Sequence, residues 1–277
     1  MSTPDRLPRI LVVDDSRMVQ ASILKHVRGR FEAREEVDGE AGWEALLVDP
    51  AIEIVLDEAR AVSAEPGAAQ VGVVVAASRM RHPLEARTLA RLAARYAGSG
   101  PGTVVGFGLS NDERRGVTAE FGPAFAIADR AGLALLPHAG ELLGAQAVAE
   151  TLDSLRPDRL GHGVRSVEDP AVLDRVVAAG VALEVCPGSN VALGVYVDAH
   201  EVPLRQLLDA GATVALGADD PVIFGSRLAQ QYTTAREVHG IDDAGLAGLA
   251  LGSLRASRAP SDVVAAAVAD VDAWLRG

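Results

Sequence analysis

One cysteine, Cys186, stands among 277 residues, so the chain forms no internal disulfide. Basic charge is also short. Lys and Arg number 26 against 38 Asp and Glu, for a net charge of −12, and no basic stripe breaks the acidic balance. That excludes the electrostatic footprint of a nucleic-acid binder and favours a neutral or cationic small molecule as partner. Long apolar runs are missing too: none approaches the ~20 residues that cross a bilayer. The opening "MSTPDRLPRI" lacks the basic and then apolar regions of a signal peptide. The expectation is a cytoplasmic protein that meets neither membrane nor nucleic acid. With 49% hydrophobic and 23% charged residues, the chain has enough apolar surface for one substantial core.

Short Val, Leu and Ala-rich runs alternate with longer helical patterns at a fairly even period, which is the signature of βα units on a parallel sheet. The candidate strands are "RILVVD" (9–14), "FEAREEV" (31–37), "VGVVVAA" (71–77), "TVVGFGL" (103–109), "LALLPH" (133–138), "RLGHG" (159–163), "VALEVCP" (181–187) and "TVALGAD" (213–219). Helical patterns run over 83–97, 117–131, 143–155, 170–179 and 203–210, most opening near Pro, Asp or Ser and closing on Gly. The stretch "IEIVLDEARAV" reads as a strand to about residue 56 and as a helix end after it; helix is preferred, because that leaves the strand count at eight. Eight parallel strands with intervening helices predict an α/β (βα)8 TIM-type barrel formed by the whole chain, with chemistry at the carboxyl ends of its strands.

Those ends carry acid, base and metal-binding groups. Asp14 and Asp15 follow the first strand, Arg79 the third, and Asn111, Asp112 and Glu113 the fourth. His138 and Glu141 follow the fifth, His162 the sixth, Ser189 and Asn190 the seventh, and Asp219 and Asp220 the eighth. Each has a plainer role open to it. Asp15 with Ser16 suits a cap on the helix that begins at 17, and Asn190 in "GSN" suits a turn. Convergence favours function, since a barrel brings the ends of separate strands to one rim.

From about residue 57 onward, "VVGFGLSNDE", "PHAGE", "RLGHG", "LEVCPGSNVALGVY" and "LGADDP" resemble, in order, the motifs of the bacterial branch of the adenosine deaminase family. The resemblance implies metal-dependent hydrolytic deamination of a 6-aminopurine nucleoside such as adenosine. By motif, His138 would be a zinc ligand, and Glu141 the acid that protonates the purine ring. His162 would orient and deprotonate the attacking water. Asp219 would bind both zinc and that water, Asp220 would hold the purine, and the backbone at Asn111 would contact the base. The residue types suit that chemistry, because a bound zinc lowers the pKa of its water from 15.7 to about 7, and a dry pocket favours a protonated Glu141. His138 and Glu141 stand three apart, with a glycine between them that admits close backbone approach.

The family pattern also asks for a His-x-His metal pair after the first strand. The six histidines, His26, His82, His138, His162, His200 and His239, include no such pair. Residues 1 to about 56, with "RILVVDDSRMVQASILKHV" and "FEAREEVDGEAGWEALL", instead resemble the start of a response-regulator receiver domain, of flavodoxin-like fold. In that reading Asp57 or Glu58 would be the phospho-acceptor, and the chain would be a chimera whose receiver-derived β-α-β-α segment completes a deaminase barrel. Asp14 or Asp15 would then substitute as a metal ligand. Neighbouring strand residues face opposite ways, so only one of the two can enter the metal's coordination. An oxygen-rich set would hold zinc weakly and tolerate magnesium or manganese. A catalytically inert barrel scaffold, or a phosphorylation-responsive module, are the alternatives.

Overall fold

The strands form where the apolar runs alternate, and their pairing sorts them into two parallel sheets. The computed structural model of the chain describes residues 9–13, 16–27, 29–30, 32–36 and 51–277; Asp14 and Asp15 lie outside the described residues. The chain divides into two units, Met1–Val71 and Gly72–Gly277.

In the first unit, β1 (Arg9–Val13) pairs in parallel with β2 (Glu32–Glu36), from Arg9 opposite Glu32 to Val13 opposite Glu36. Helix α1 (Arg17–Val27) connects them, and α2 (Ala51–Ser63) follows. Val12 on β1 and Leu56 and Ala59 on α2 are buried. The Ser63 hydroxyl closes the end of α2, donating to the Ala59 carbonyl at 2.7 Å and accepting from the Val71 amide at 2.8 Å. The ambiguous "IEIVLDEARAV" is helical, as preferred from the strand count.

The second unit is built on a six-stranded parallel sheet: β3 (Val73–Ser78), β4 (Val104–Ser110), β5 (Ala134–Ala139), β6 (Arg159–His162), β7 (Ala182–Val185) and β8 (Val214–Leu216). Their spatial order is their chain order. A sheet wound without reversal is the sequence of steps by which a TIM-type barrel is made. All eight predicted strands are present, shifted at their ends by a few residues.

Between them lie α3 (Pro83–Arg95), α4 (Gly122–Arg130), α5 (Ala145–Leu155), α6 (Pro170–Ala178), α7 (Pro187–Ala192) and α8 (Leu204–Asp209). After β8 come α9 (Pro221–Phe224), α10 (Leu228–Glu237), α11 (Asp243–Ala256) and α12 (Ser261–Leu275). The starts follow local chemistry. Pro170 opens α6 behind Asp169, whose carboxylate accepts the Ala171 amide at 2.9 Å, and Asp242 caps α11 through the Gly245 amide at 2.9 Å. The core lies between sheet and helices, with Leu160, Leu183 and Val185 from the strands packed with Val148, Val176, Leu204, Leu207 and Leu249 from the helices. Each such side chain contributes about 1.5–3 kcal/mol by leaving water. That packing fixes the strand ends in place. No helix among the described residues is long and apolar enough to cross a membrane.

Candidate active site

The carboxyl ends of β4 to β8 gather the predicted groups of the second unit. On β5 and β6 the register sets His138 beside Gly161 and Ala139 beside His162. The two imidazoles meet edge to face, with centroids 4.8 Å apart and planes at 85°. Gly161 makes that possible: a Cβ there would lie 2.5 Å from His138 Cδ2.

The turn after β5 carries Glu141. Gly140 sits at φ +74°, and a Cβ on it would meet Val148 Cγ2 at 2.5 Å, so the expected close approach at this glycine is present. Glu141 Oε1 lies 3.5 Å from His162 Nδ1. Both atoms are buried and neither has a hydrogen-bond partner among the described residues. Burial pushes the Glu141 carboxyl up to about 7, helped by the negative charge of Asp219 and Glu113. Burial pushes His162 down to about 3, with His138 adding to the effect. His138 is lowered as well, mainly by burial. The result is a neutral imidazole facing a carboxyl group poised to hold or release a proton near neutrality, the pairing that general acid and base work requires.

From β7 and β8 come Cys186, Ser189 and Asp219. Ser189 Oγ donates to Asp219 Oδ2 at 2.6 Å, which fixes one carboxylate oxygen and leaves the other for a ligand. Potential ligand atoms of His162, Cys186 and Asp219 all lie within 4.8 Å of one another. Asn190 is fully buried in α7, where its carbonyl accepts the Val195 amide at 2.9 Å. Asp220, at the start of α9, and Asn111, after β4, are exposed.

Backbone strain marks the same residues. Of the non-glycine residues described, four have positive φ: Asn111 at 72°, Arg156 at 47°, His162 at 66° and Asp219 at 55°. Three of these were expected at the site from sequence. Left-handed backbone costs a non-glycine residue of order 1–3 kcal/mol and persists where surrounding structure imposes it, typically at functional positions.

Arg79 and Glu113 are among the rim residues to which the family resemblance assigns no role. Glu113 is buried, and its Oε2 accepts the amides of Glu141 at 3.1 Å, Leu142 at 2.9 Å and Leu143 at 2.9 Å. Arg79, also buried, donates through Nη2 to the His138 carbonyl at 2.6 Å and through Nη1 to Thr118 Oγ1 at 3.0 Å. The only sequence signal for either is its place one to three residues past a strand. Cys186 had served only to exclude a disulfide; its nearness to Asp219 and His162 depends on three strands meeting, which no local pattern reports.

A zinc-type ion fits the donors. An imidazole, a carboxylate with one oxygen held by Ser189 and the other not, and a cysteine sulfur suit zinc by type. The receiver expectation fares differently. Asp57 and Glu58 sit inside α2 rather than at a strand end, and exposed Asp57 pairs with Arg60 at 2.6 Å. A mid-helix carboxylate bound to a neighbouring guanidinium lacks the strand-end acidic pocket a phospho-acceptor needs.

A parallel α/β sheet collects at its carboxyl edge a poised acid, a neutral imidazole and metal-type donors, the groups that metal-assisted hydrolysis calls for. The sequence matches the family described as Adenosine deaminase over residues 16–274, and the chain belongs to that family. A Streptomyces virginiae protein, provisionally named adenosine/adenine deaminase, is 52% identical over 260 residues, covering 90% of this chain and 76% of its own. The crystal structure of adenine deaminase from Arthrobacter aurescens superimposes with a TM-score of 0.77 at 28% identity, over 94% of this chain and 79% of that one. A cog1816 amidohydrolase from Burkhoderia ambifaria, solved with bound Zn, shares the fold at a TM-score of 0.69 and 21% identity, over 85% of this chain and 62% of that one. Because the family match begins at residue 16, it covers most of the segment expected to derive from a receiver. The receiver-like origin of the first units, and with it the chimera, is without support.

Proposed function

We propose that the chain catalyses metal-assisted hydrolytic deamination of a 6-aminopurine, adenine or adenosine, releasing ammonia and leaving a carbonyl at the attacked carbon. The observation that carries the reading is the 3.5 Å approach of buried Glu141 to buried His162, the one poised to be protonated near neutrality and the other neutral. Membership of the adenosine deaminase family and likeness to an adenine deaminase structure support the substrate class.

In this reading Glu141 gives its proton to a ring nitrogen, which draws electron density away from the amino-bearing carbon. His162, kept neutral by burial, takes a proton from the attacking water. Asp219, held by Ser189, orients that water, while Asp220 and the backbone at Asn111 would receive the purine. His138 and Asp219 would hold the metal, with Cys186 and His162 beside them. A bound zinc would supply a water acidic enough to react at neutral pH, and magnesium or manganese in its place would supply a less acidic one. Asp14 or Asp15, but not both, is proposed as a substitute ligand for the absent His-x-His pair; both fall outside the described residues. With that pair missing, turnover should depend on added metal.

The test is ultraviolet absorbance of adenine and of adenosine with purified protein, with and without zinc, alongside Glu141→Gln. Metal-dependent spectral change, lowered about 10²–10⁴-fold in the variant, supports the reading. No change for either compound with folded, zinc-loaded protein at high concentration would overturn it in favour of an inert scaffold.

A further inference from the structure

The turn between β5 and α5 is gripped at several backbone atoms. Glu113 Oε2 receives three consecutive amides, those of Glu141, Leu142 and Leu143, at 2.9–3.1 Å. Arg79 takes the His138 carbonyl. The Arg165 amide donates to the Gly140 carbonyl at 3.0 Å, and its guanidinium donates to the Leu142 carbonyl at 2.7 Å. Three successive N–H groups aimed at one point form a nest for an anion, and here the protein fills it with a side chain from the adjoining strand's loop. Glu113 is only 4% exposed.

We propose that Glu113 is a positioning residue for Glu141: its carboxylate holds the 141–143 turn in the one conformation that aims the Glu141 carboxyl at His162. The assignment of a catalytic purpose rests on the deaminase reading above, whereas the grip itself does not. Without Glu113, three amides, one of them in buried Glu141, lose a shared charged acceptor and the turn must rearrange to find others. A shift of about 1 Å in a reacting group costs on the order of 10²-fold in rate. Behind the turn lies a cavity of about 170 Å³ lined by Arg79, Glu113, Gly116, Thr118, Leu143 and Glu150. Truncation at Glu113 therefore opens onto space that a small anion can enter.

The experiment compares the parent protein with Glu113→Ala and Glu113→Gln. Amide hydrogen exchange at Glu141, Leu142 and Leu143 should be slow in the parent and at least tenfold faster in Glu113→Ala, with Glu113→Gln between them. In the zinc-loaded enzyme, kcat should fall about 10²-fold in Glu113→Ala with KM changed less than threefold, and sodium formate should restore at least tenfold of that loss by occupying the nest. Formate should also raise the melting temperature of Glu113→Ala and not that of the parent. Unchanged amide exchange, a loss borne by KM, or a loss of kcat that formate does not restore would overturn the proposal. If the parent turns over no 6-aminopurine, the deaminase reading fails by itself, and exchange with formate-dependent melting still decides whether Glu113 holds the turn.

Discussion

A methyl group placed on Gly161 would sit 2.5 Å from His138 Cδ2, 3.0 Å from Nε2 and 3.1 Å from Cγ. Carbon contacts settle at about 3.5–4.0 Å, so Gly161→Ala must displace the ring by roughly 1 Å or force the strands apart. Register holds the strands, with His138 opposite Gly161 and Ala139 opposite His162, so the ring is what moves. It moves at the junction of the proposed metal donor and the proposed base, since its centroid lies 4.8 Å from that of His162. Overpacking of this kind costs about 1–3 kcal/mol, which for a unit of this size lowers the melting temperature by roughly 2–12 °C. Activity should suffer more, by about 10²-fold, because a catalytic group is displaced. The assay is kcat/KM for adenine with saturating zinc, beside thermal unfolding followed by circular dichroism. Gly248→Ala is the control: Gly248 lies on α11 with nothing within 4 Å of its added Cβ, so it should gain up to about 1 kcal/mol and keep full activity. Gly161→Ala protein with parental melting temperature and activity within threefold would refute the packing argument.

Ser189→Ala removes the 2.6 Å hydrogen bond that fixes Asp219, and zinc affinity measured by chelator competition should fall about 10–100-fold; unchanged affinity would mean that Asp219 needs no such support. The Cys186 thiol is buried and pushed up to about 12, chiefly by burial, so only ~10⁻⁴ of it is thiolate at pH 8. Native protein should react with a thiol reagent far more slowly than protein in guanidinium, and rapid native labelling would contradict the site's geometry. Stability of the zinc-stripped protein should show two opposed limbs. Glu141, raised from 4.5 to about 7, contributes stability that is complete below pH 4.5 and is lost as pH rises through 7; His162, lowered from 6.5 to about 3, contributes stability present above pH 6.5 and lost as pH falls toward 3. Glu141→Gln should flatten the upper limb in urea titrations and leave the lower one; an unchanged upper limb would assign it to another group.

The eight strands and the preference for helix over 52–62 were legible because each depends on a local pattern: apolar runs of strand length, and punctuation by Pro, Asp and Gly. The receiver-like start misled for the same reason. "RILVVDDSR" is a generic strand and helix opening, so its likeness to a receiver carries little weight, and the family match runs through that region from residue 16. Helices α9 to α12, beyond β8, lie outside the helical ranges that periodicity predicts.

The sequence by itself determined which residues stand at the strand ends, and the glycine between His138 and Glu141 already allowed a close backbone approach. Only the tertiary structure decided what those residues meet. The left-handed backbone at His162 and Asp219, the Ser189 hold on Asp219, and Cys186 within the donor cluster arise where separate strands converge. Glu113 is the clearest case. In the chain it is one acid among many, and it becomes the acceptor of three amides 28 to 30 residues away because parallel pairing of β4 with β5 brings the two loops together. Local sequence sets local conformation, whereas contacts between loops depend on the sheet that carries them.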